Sequence, residues 1–264
     1  MVMEYQHNFK KKFGQNFLND ENILNKIIKE SNIPEDTLVI EIGPGAGALT
    51  NKLKDVAQNV LAYEIDLDLQ NILIDKFKDT NVKIIWEDFL NRNIKEDKKD
   101  YNNKNIYVIA NIPYYITTPI IEKIIDSGVD VEKIVIMVQK EVGDRFSAKP
   151  GSKEYGSISV FLNYFYNIKE LFIVSKNCFT PRPNVDSVIL SLEKKKDKPQ
   201  VNDEKVLFRL IKDSFRFKRK NLRNNLKEYD LEKIATVLKK YNKDLTTRAE
   251  TLSLEEFIEI SNNL

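Results

Sequence analysis

The chain has 264 residues, 42% hydrophobic and 31% charged, with Lys plus Arg exceeding Asp plus Glu only 42 to 40, which predicts a soluble globular protein of one large domain with room for a small appendage. A single cysteine, Cys178, excludes an internal disulfide and a CxxC metal site, and a single histidine, His7, argues against a histidine triad or zinc centre, so no metal is expected. No stretch reaches the roughly 18 to 20 apolar residues of a membrane span, and MVMEYQHNFKKKFGQNF lacks the apolar core of a secretion signal, so the expected location is the cytoplasm, with no membrane partner.

From residue 20 to 146, β-branched apolar runs alternate with amphipathic stretches, the pattern of a parallel sheet with helices on both faces. TLVIEI, 37–42, is the first predicted strand, followed by a glycine loop and a helix over 46–55. NVLAYEI, 59–65, a helix over 67–78, VKIIWED, 82–88, NIYVIAN, 105–111, a helix over 117–127 and KIVIMVQ, 133–139, continue the series. ELFIVS, 170–175, and SVILSL, 187–192, predict an antiparallel hairpin on the sheet edge, which makes seven strands. The charged, proline-containing EKKKDKPQVNDE, 193–204, has linker composition, so a first domain is expected over 1–197, with a basic N-terminal segment over 1–18. Past it, Val206, Leu207, Leu210 and Ile211, then Leu231, Ile234, Val237, Leu238 and Tyr241, fall at helical spacing. Ser253 with Glu256 reads as a capping box before a last helix, so 198–264 is expected to be a small helical domain. No heptad seam is present, and a monomer is expected.

EIGPGAGALT places Gly43, Gly45 and Gly47 directly after the first strand, where glycines let the backbone approach a ligand at a strand-to-helix turn. Glu64 follows Gly43 by 21 residues, the distance at which a carboxylate in an open α/β sheet receives ribose hydroxyls. The spacing departs from G-x-G-x-x-G, which disfavours a dinucleotide oxidoreductase and favours S-adenosylmethionine, a cofactor without a pyrophosphate. Asp88, ending the third strand, would then accept from the adenine amine. Asn111, at the end of the fourth strand, has an amide able to face a substrate in this crevice. If that substrate is adenine, the Asn111 side-chain oxygen and the carbonyl of Ile112, turned by Pro113, supply two acceptors for its weakly nucleophilic amine, and Tyr114 can stack on the base. Phe179, in the proline-stiffened NCFTPRPNVD, would close the other face if that loop folds over the crevice, while Cys178 is read as small packing. Such a pocket takes only an unstacked base, which points to structured RNA. KDSFRFKRKNLR, 212–223, is either a solvated helix face or an RNA contact.

FGQNFLND (13–20), EIGPGAGALT (41–50), ANIPYYITTPI (110–120), YGSISV (155–160) and FTPRPNVDSVIL (179–190), in this order, resemble the KsgA/RsmA family of small-subunit ribosomal RNA adenine dimethyltransferases. The resemblance implies a Rossmann-like class I S-adenosylmethionine-dependent methyltransferase sheet, mostly parallel, with a helical C-terminal RNA-binding domain. It also implies transfer of two methyl groups to N6 of each of two adjacent adenines near the 3′ end of small-subunit (16S) rRNA in an immature ribosomal subunit. Carried over by motif, Asn16 and Leu18 would line the cofactor's methionine end, with Gly43 and Gly45 in the loop, Glu64 on the ribose, Asp88 on the adenine and Asn111 shared between cofactor and target amine. Tyr114 and Phe179 would sandwich the target base. Arg216, Lys218, Arg219, Lys220 and Arg223 would contact RNA, with Lys218 standing where the family usually has arginine. Enzymes that dimethylate large-subunit (23S) rRNA and confer macrolide resistance share QNFL and NIPY; Thr118-Pro119, YGSISV and FTPRPNVDS favour the small-subunit branch. An RNA-binding assembly factor without catalysis is the alternative of another class.

Overall fold

The computed structural model describes residues 17–18, 20–112 and 116–264. Nine strands are described: β1 (Phe17–Leu18), β2 (Thr37–Ile42), β3 (Asn59–Tyr63), β4 (Val82–Ile85), β5 (Asn105–Asn111), β6 (Lys133–Gln139), β7 (Tyr166–Val174), β8 (Phe179–Thr180) and β9 (Ser187–Lys194). Seven form one sheet in the order β4-β3-β2-β5-β6-β9-β7, and β1 pairs with β8 in a separate antiparallel ribbon. The five strands from β4 to β6 are parallel, while β9 runs antiparallel to β6 and neighbours β7 at the sheet edge.

Strand composition explains this layout. Every residue of β2 is buried, as expected for a central parallel strand covered on both faces. On one face, Leu24 and Ile27 of the helix Glu21–Ser31 and Leu49 and Leu53 of the helix Ala48–Leu53 pack with Val39, Val60 and Ile109. Asp20, last residue of the FGQNFLND motif, starts the first of these helices by accepting from the backbone N–H of Asn22 and Ile23. The strands β2, β5 and β6 have the expected bounds, whereas β3 stops at Tyr63 and β4 at Ile85, so Glu64 and Asp88 lie in the loops that follow them.

The chain divides into two compact units, 1–140 with 170–193, and 141–169 with 194–264. The last division falls four residues before the expected boundary at 197, and residues 141–169, expected in the first domain, group with the C-terminal helices. The cause is packing: Tyr155, Val160 and Tyr164 are buried in one cluster with Leu207, Leu210, Ile234 and Phe257. The helix Leu254–Asn262 opens with the expected capping box, Ser253 accepting from Glu256 N–H while Glu256 accepts from Ser253 N–H.

Candidate active site

The sheet reverses its winding between β2 and β5, with β3 and β4 added on one side and β6 on the other. Ligands in open α/β sheets bind in the crevice outside the carboxyl ends of the strands at such a point. The register aligns Ile42 with Ala110, so Gly43, the first residue after β2, lies beside Asn111, the last residue of β5. Gly43 has φ +73°, and a Cβ there would lie 3.8 Å from the carbonyl oxygen of Asn111. Gly47 has φ +76°, and a Cβ there would come within 2.7 Å of the Phe77 ring, so this turn is closed to other residues by both conformation and space.

A pocket of about 260 Å³ opens here, just below the roughly 300–1,000 Å³ usual for small-molecule sites. Leu18, Gly43, Gly45 and Glu64 line it, as do Asp88, Asn111 and Ile112. Seven residues singled out in five separate motifs thus converge on one cavity. Asn16, Pro113 and Tyr114 lie outside the described residues. Phe179 does not line the pocket; it pairs with Leu18 across the short ribbon and is buried, 4% exposed, among Leu18, Val174 and Ile189.

The acids differ in their surroundings. Glu64 is buried and accepts from Gly45 N–H at 3.0 Å and Asp66 N–H at 2.8 Å. Burial raises its pKa, and those two donors oppose the shift. A carboxylate offers about four acceptor positions, so capacity for two hydroxyl donors remains. Asp88 is half-buried and spends Oδ1 on Leu90 N–H, capping the short turn Phe89–Asn91.

Sequence reasoning missed Glu41, which lines the same pocket at 1% exposure. Its Oε2 has no hydrogen-bond partner among the described residues, and neither has Oγ1 of Thr50 beside it. Burial pushes the Glu41 carboxyl up to about 8; Glu64 adds to this, while Thr50 and Lys76 pull the other way. The signal was present in TLVIEI, an apolar strand interrupted by one acid two residues before the first glycine. An unpartnered buried carboxylate oxygen is costly unless a ligand supplies a donor. Among the described residues no group of three or more His, Cys, Asp or Glu side chains is arranged to hold a metal ion.

In the second unit, Arg216, Lys218, Arg219, Lys220 and Arg223 are all exposed. They do not form one helix: the helix Glu204–Ser214 ends before them, and Arg223 belongs to the short helix Leu222–Asn225. Asn225 shapes the intervening turn, donating to Ser214 O at 2.7 Å and accepting from Phe217 N–H at 3.1 Å. Phe215 packs inward near Tyr155 and Phe257, whereas Phe217 is 55% exposed with the Arg216 guanidinium 5.6 Å from its ring centre. Lys218 donates to the Lys153 carbonyl at 3.1 Å.

Residues 6–264 match the family model for ribosomal RNA adenine dimethylase. The chain belongs to the ribosomal RNA adenine dimethylase family. Among its relatives, the ribosomal RNA small subunit methyltransferase A of Clostridium acetobutylicum is 38% identical, covering 100% of this chain and 96% of that protein. The protein of the same name from Streptococcus gordonii is 44% identical over 97% of this chain and 92% of its own length. A solved dimethyladenosine transferase from Plasmodium falciparum superposes with a TM-score of 0.77 at 26% identity, covering 92% of this chain and 95% of that one. The 23S rRNA methyltransferase ErmE, at 22% identity and a TM-score of 0.74, covers 94% and 99% and shares the fold. The dimethylase family thus accounts for the whole architecture, a class I methyltransferase sheet with a helical C-terminal unit.

Proposed function

We propose that this dimethylase-family chain transfers methyl groups from S-adenosylmethionine to N6 of two adjacent adenines near the 3′ end of small-subunit rRNA, acting as a cytoplasmic monomer on immature subunits. The observation that carries the reading is the placement of Asn111 beside Gly43 at the reversal point of the sheet, in a pocket that also holds Glu41, Glu64 and Asp88. The donor set suits S-adenosylmethionine: Glu64 retains capacity for ribose hydroxyls, Asp88 for an adenine amine, and the orphaned Glu41 oxygen calls for a hydrogen-bond donor such as an ammonium. Gly43 lets the cofactor approach the loop backbone, and Leu18 and Asn16 would close its amino-acid end.

When bound, the cofactor supplies a methyl carbon already activated on a sulfonium sulfur. The chain has to orient the incoming amine and exclude water. Two acceptors, the Asn111 side-chain oxygen and the Ile112 carbonyl, would hold both amine hydrogens and favour the pyramidal nitrogen whose lone pair attacks. After transfer the nitrogen is briefly cationic, and the same acceptors stabilise it until a proton leaves. Alignment contributes the rest of the acceleration. Tyr114 and Phe179 are assigned the two faces of the base. For Phe179 this requires its ring to leave the cluster around Leu18.

The basic residues from Arg216 to Arg223 are assigned to the RNA backbone. Relatives named for the small subunit at about 40% identity favour that substrate over 23S rRNA, since the likeness to ErmE reaches only the fold. Incubation of the protein and labelled S-adenosylmethionine with immature small subunits, and in parallel with protein-free 23S rRNA, followed by mapping of modified nucleotides, tests the reading. Label on two adjacent small-subunit adenines is expected. Label in 23S rRNA would assign the macrolide-resistance activity, and RNA binding without label would leave an assembly factor.

A further inference from the structure

The loop after β4 carries Asp88 between two anchored neighbours. On one side, Arg92 Nη1 donates to Glu87 Oε2 at 2.9 Å. On the other, the Phe89 ring stands edge-on to Tyr63, with centres 5.1 Å apart at 80°. Both anchors meet at Asp97, which is buried. Tyr63 donates its hydroxyl to Asp97 Oδ2 at 3.1 Å, Arg92 Nε donates to the same oxygen at 3.1 Å, and Arg92 Nη2 donates to Oδ1. The result is a forked ion pair, completed by a phenol whose ring lines the pocket and is itself only 2% exposed. None of these three side chains was singled out by sequence motif. Asp97 is the buried partner and the Arg92 side chain is half-buried; ion pairs of this kind add little net stability, and their best-attested use is to fix one geometry among several.

We propose that the Tyr63–Asp97–Arg92 network is a positioning device for Asp88, and that it sets the selectivity of the pocket for a 6-aminopurine. This rests on the reading of the pocket as the S-adenosylmethionine site. Asp88 uses Oδ1 on its own turn, so recognition of an exocyclic amine depends on where the rest of the carboxylate is held. Glu87, Asp88, Phe89 and Leu90 all line the cavity, so a loop freed at Glu87 and Phe89 would keep its composition and lose its aim.

The test compares binding of S-adenosylhomocysteine with that of its 6-oxo counterpart, S-inosylhomocysteine, by calorimetry. The wild type is expected to prefer the amino compound by about ten- to a hundredfold, the range for a hydrogen bond to a charged acceptor. Arg92→Met and Tyr63→Phe should each weaken S-adenosylhomocysteine severalfold, leave S-inosylhomocysteine within about twofold, and so bring the ratio toward one. Arg92→Lys, which keeps a charge near Asp97, should recover part of the preference. A network that only stabilises the fold would lower the melting temperature and leave the ratio alone, and that result would overturn the proposal. If Arg92→Met does not fold, Tyr63→Phe retains the ring packing and decides the matter by itself. A wild type that binds neither compound would instead overturn the donor-site reading.

Discussion

Replacing Glu41 by glutamine isolates the buried carboxyl at the floor of the pocket. Its pKa lies near 8 in the folded protein against an ordinary 4.5, chiefly because burial disfavours the charged form. Between these values the unfolded chain has released a proton that the folded protein still holds. The stability associated with this group is therefore full below pH 4.5 and is lost as pH rises toward 8, by about 1.4 kcal/mol per pH unit. Glutamine does not titrate, so the stability of Glu41→Gln relative to wild type should improve by about 3 kcal/mol between pH 5 and pH 7.5. For a protein of this size that corresponds to a relative shift in melting temperature of about 6 to 12 °C. The amide's own desolvation is the same at both pH values and cancels in the comparison. Calorimetric melts of both proteins at the two pH values provide the measurement. A difference between them that does not change with pH would show that Glu41 is ionised and solvated in the folded state. The same substitution leaves one carbonyl acceptor but removes the negative charge that would pair with a ligand ammonium, so affinity for S-adenosylhomocysteine should fall by about tenfold.

Four other outcomes are expected. Asn111→Ala should reduce methyl transfer at least about a hundredfold, as for loss of a transition-state hydrogen-bonding group, with RNA binding retained in a gel-shift assay. Phe179→Leu avoids the roughly 3 to 5 kcal/mol loss of a full Phe→Ala truncation in a core, so a slower single-turnover rate at a near-normal melting temperature would locate the ring at the base. Neutralising Arg216, Arg219 and Lys220 together should flatten the log-log salt dependence of RNA binding by about 0.7 per lost phosphate contact, read from titrations at several ionic strengths. Ser253→Ala should cost about 1 kcal/mol in urea unfolding through loss of the cap on the helix Leu254–Asn262.

The sheet was legible because its central strands are written in Val and Ile between clear turn signals; TLVIEI, NIYVIAN and KIVIMVQ occupy the bounds their composition suggests. Strand ends were less legible where the run of strand-like residues outlasts the ladder, so Glu64 and Asp88 sit just beyond β3 and β4. The grouping of 141–169 with the C-terminal helices was hidden for a different reason. SISVFLNYF, in the helix Ser157–Phe165, is apolar on nearly all sides, so its periodicity does not say which neighbours it will bury against. Glycine spacing and the acid 21 residues on marked the pocket, but Tyr63, Arg92 and Asp97 carry no motif. Their relation is set by the pairing of β3 with β4, which brings residues 34 positions apart into contact.

That the second compact unit draws on two separate stretches of the chain, 141–169 and 194–264, has a consequence for dissection. A fragment cut at residue 197 would keep Tyr155, Val160 and Tyr164 while discarding Leu207, Leu210, Ile234 and Phe257, the residues that shield them from water. The helical portion is stitched from discontinuous sequence, so truncation leaves a sticky half-core in place of a trimmed enzyme. Removing RNA affinity while sparing the fold therefore calls for point changes among the exposed basic residues.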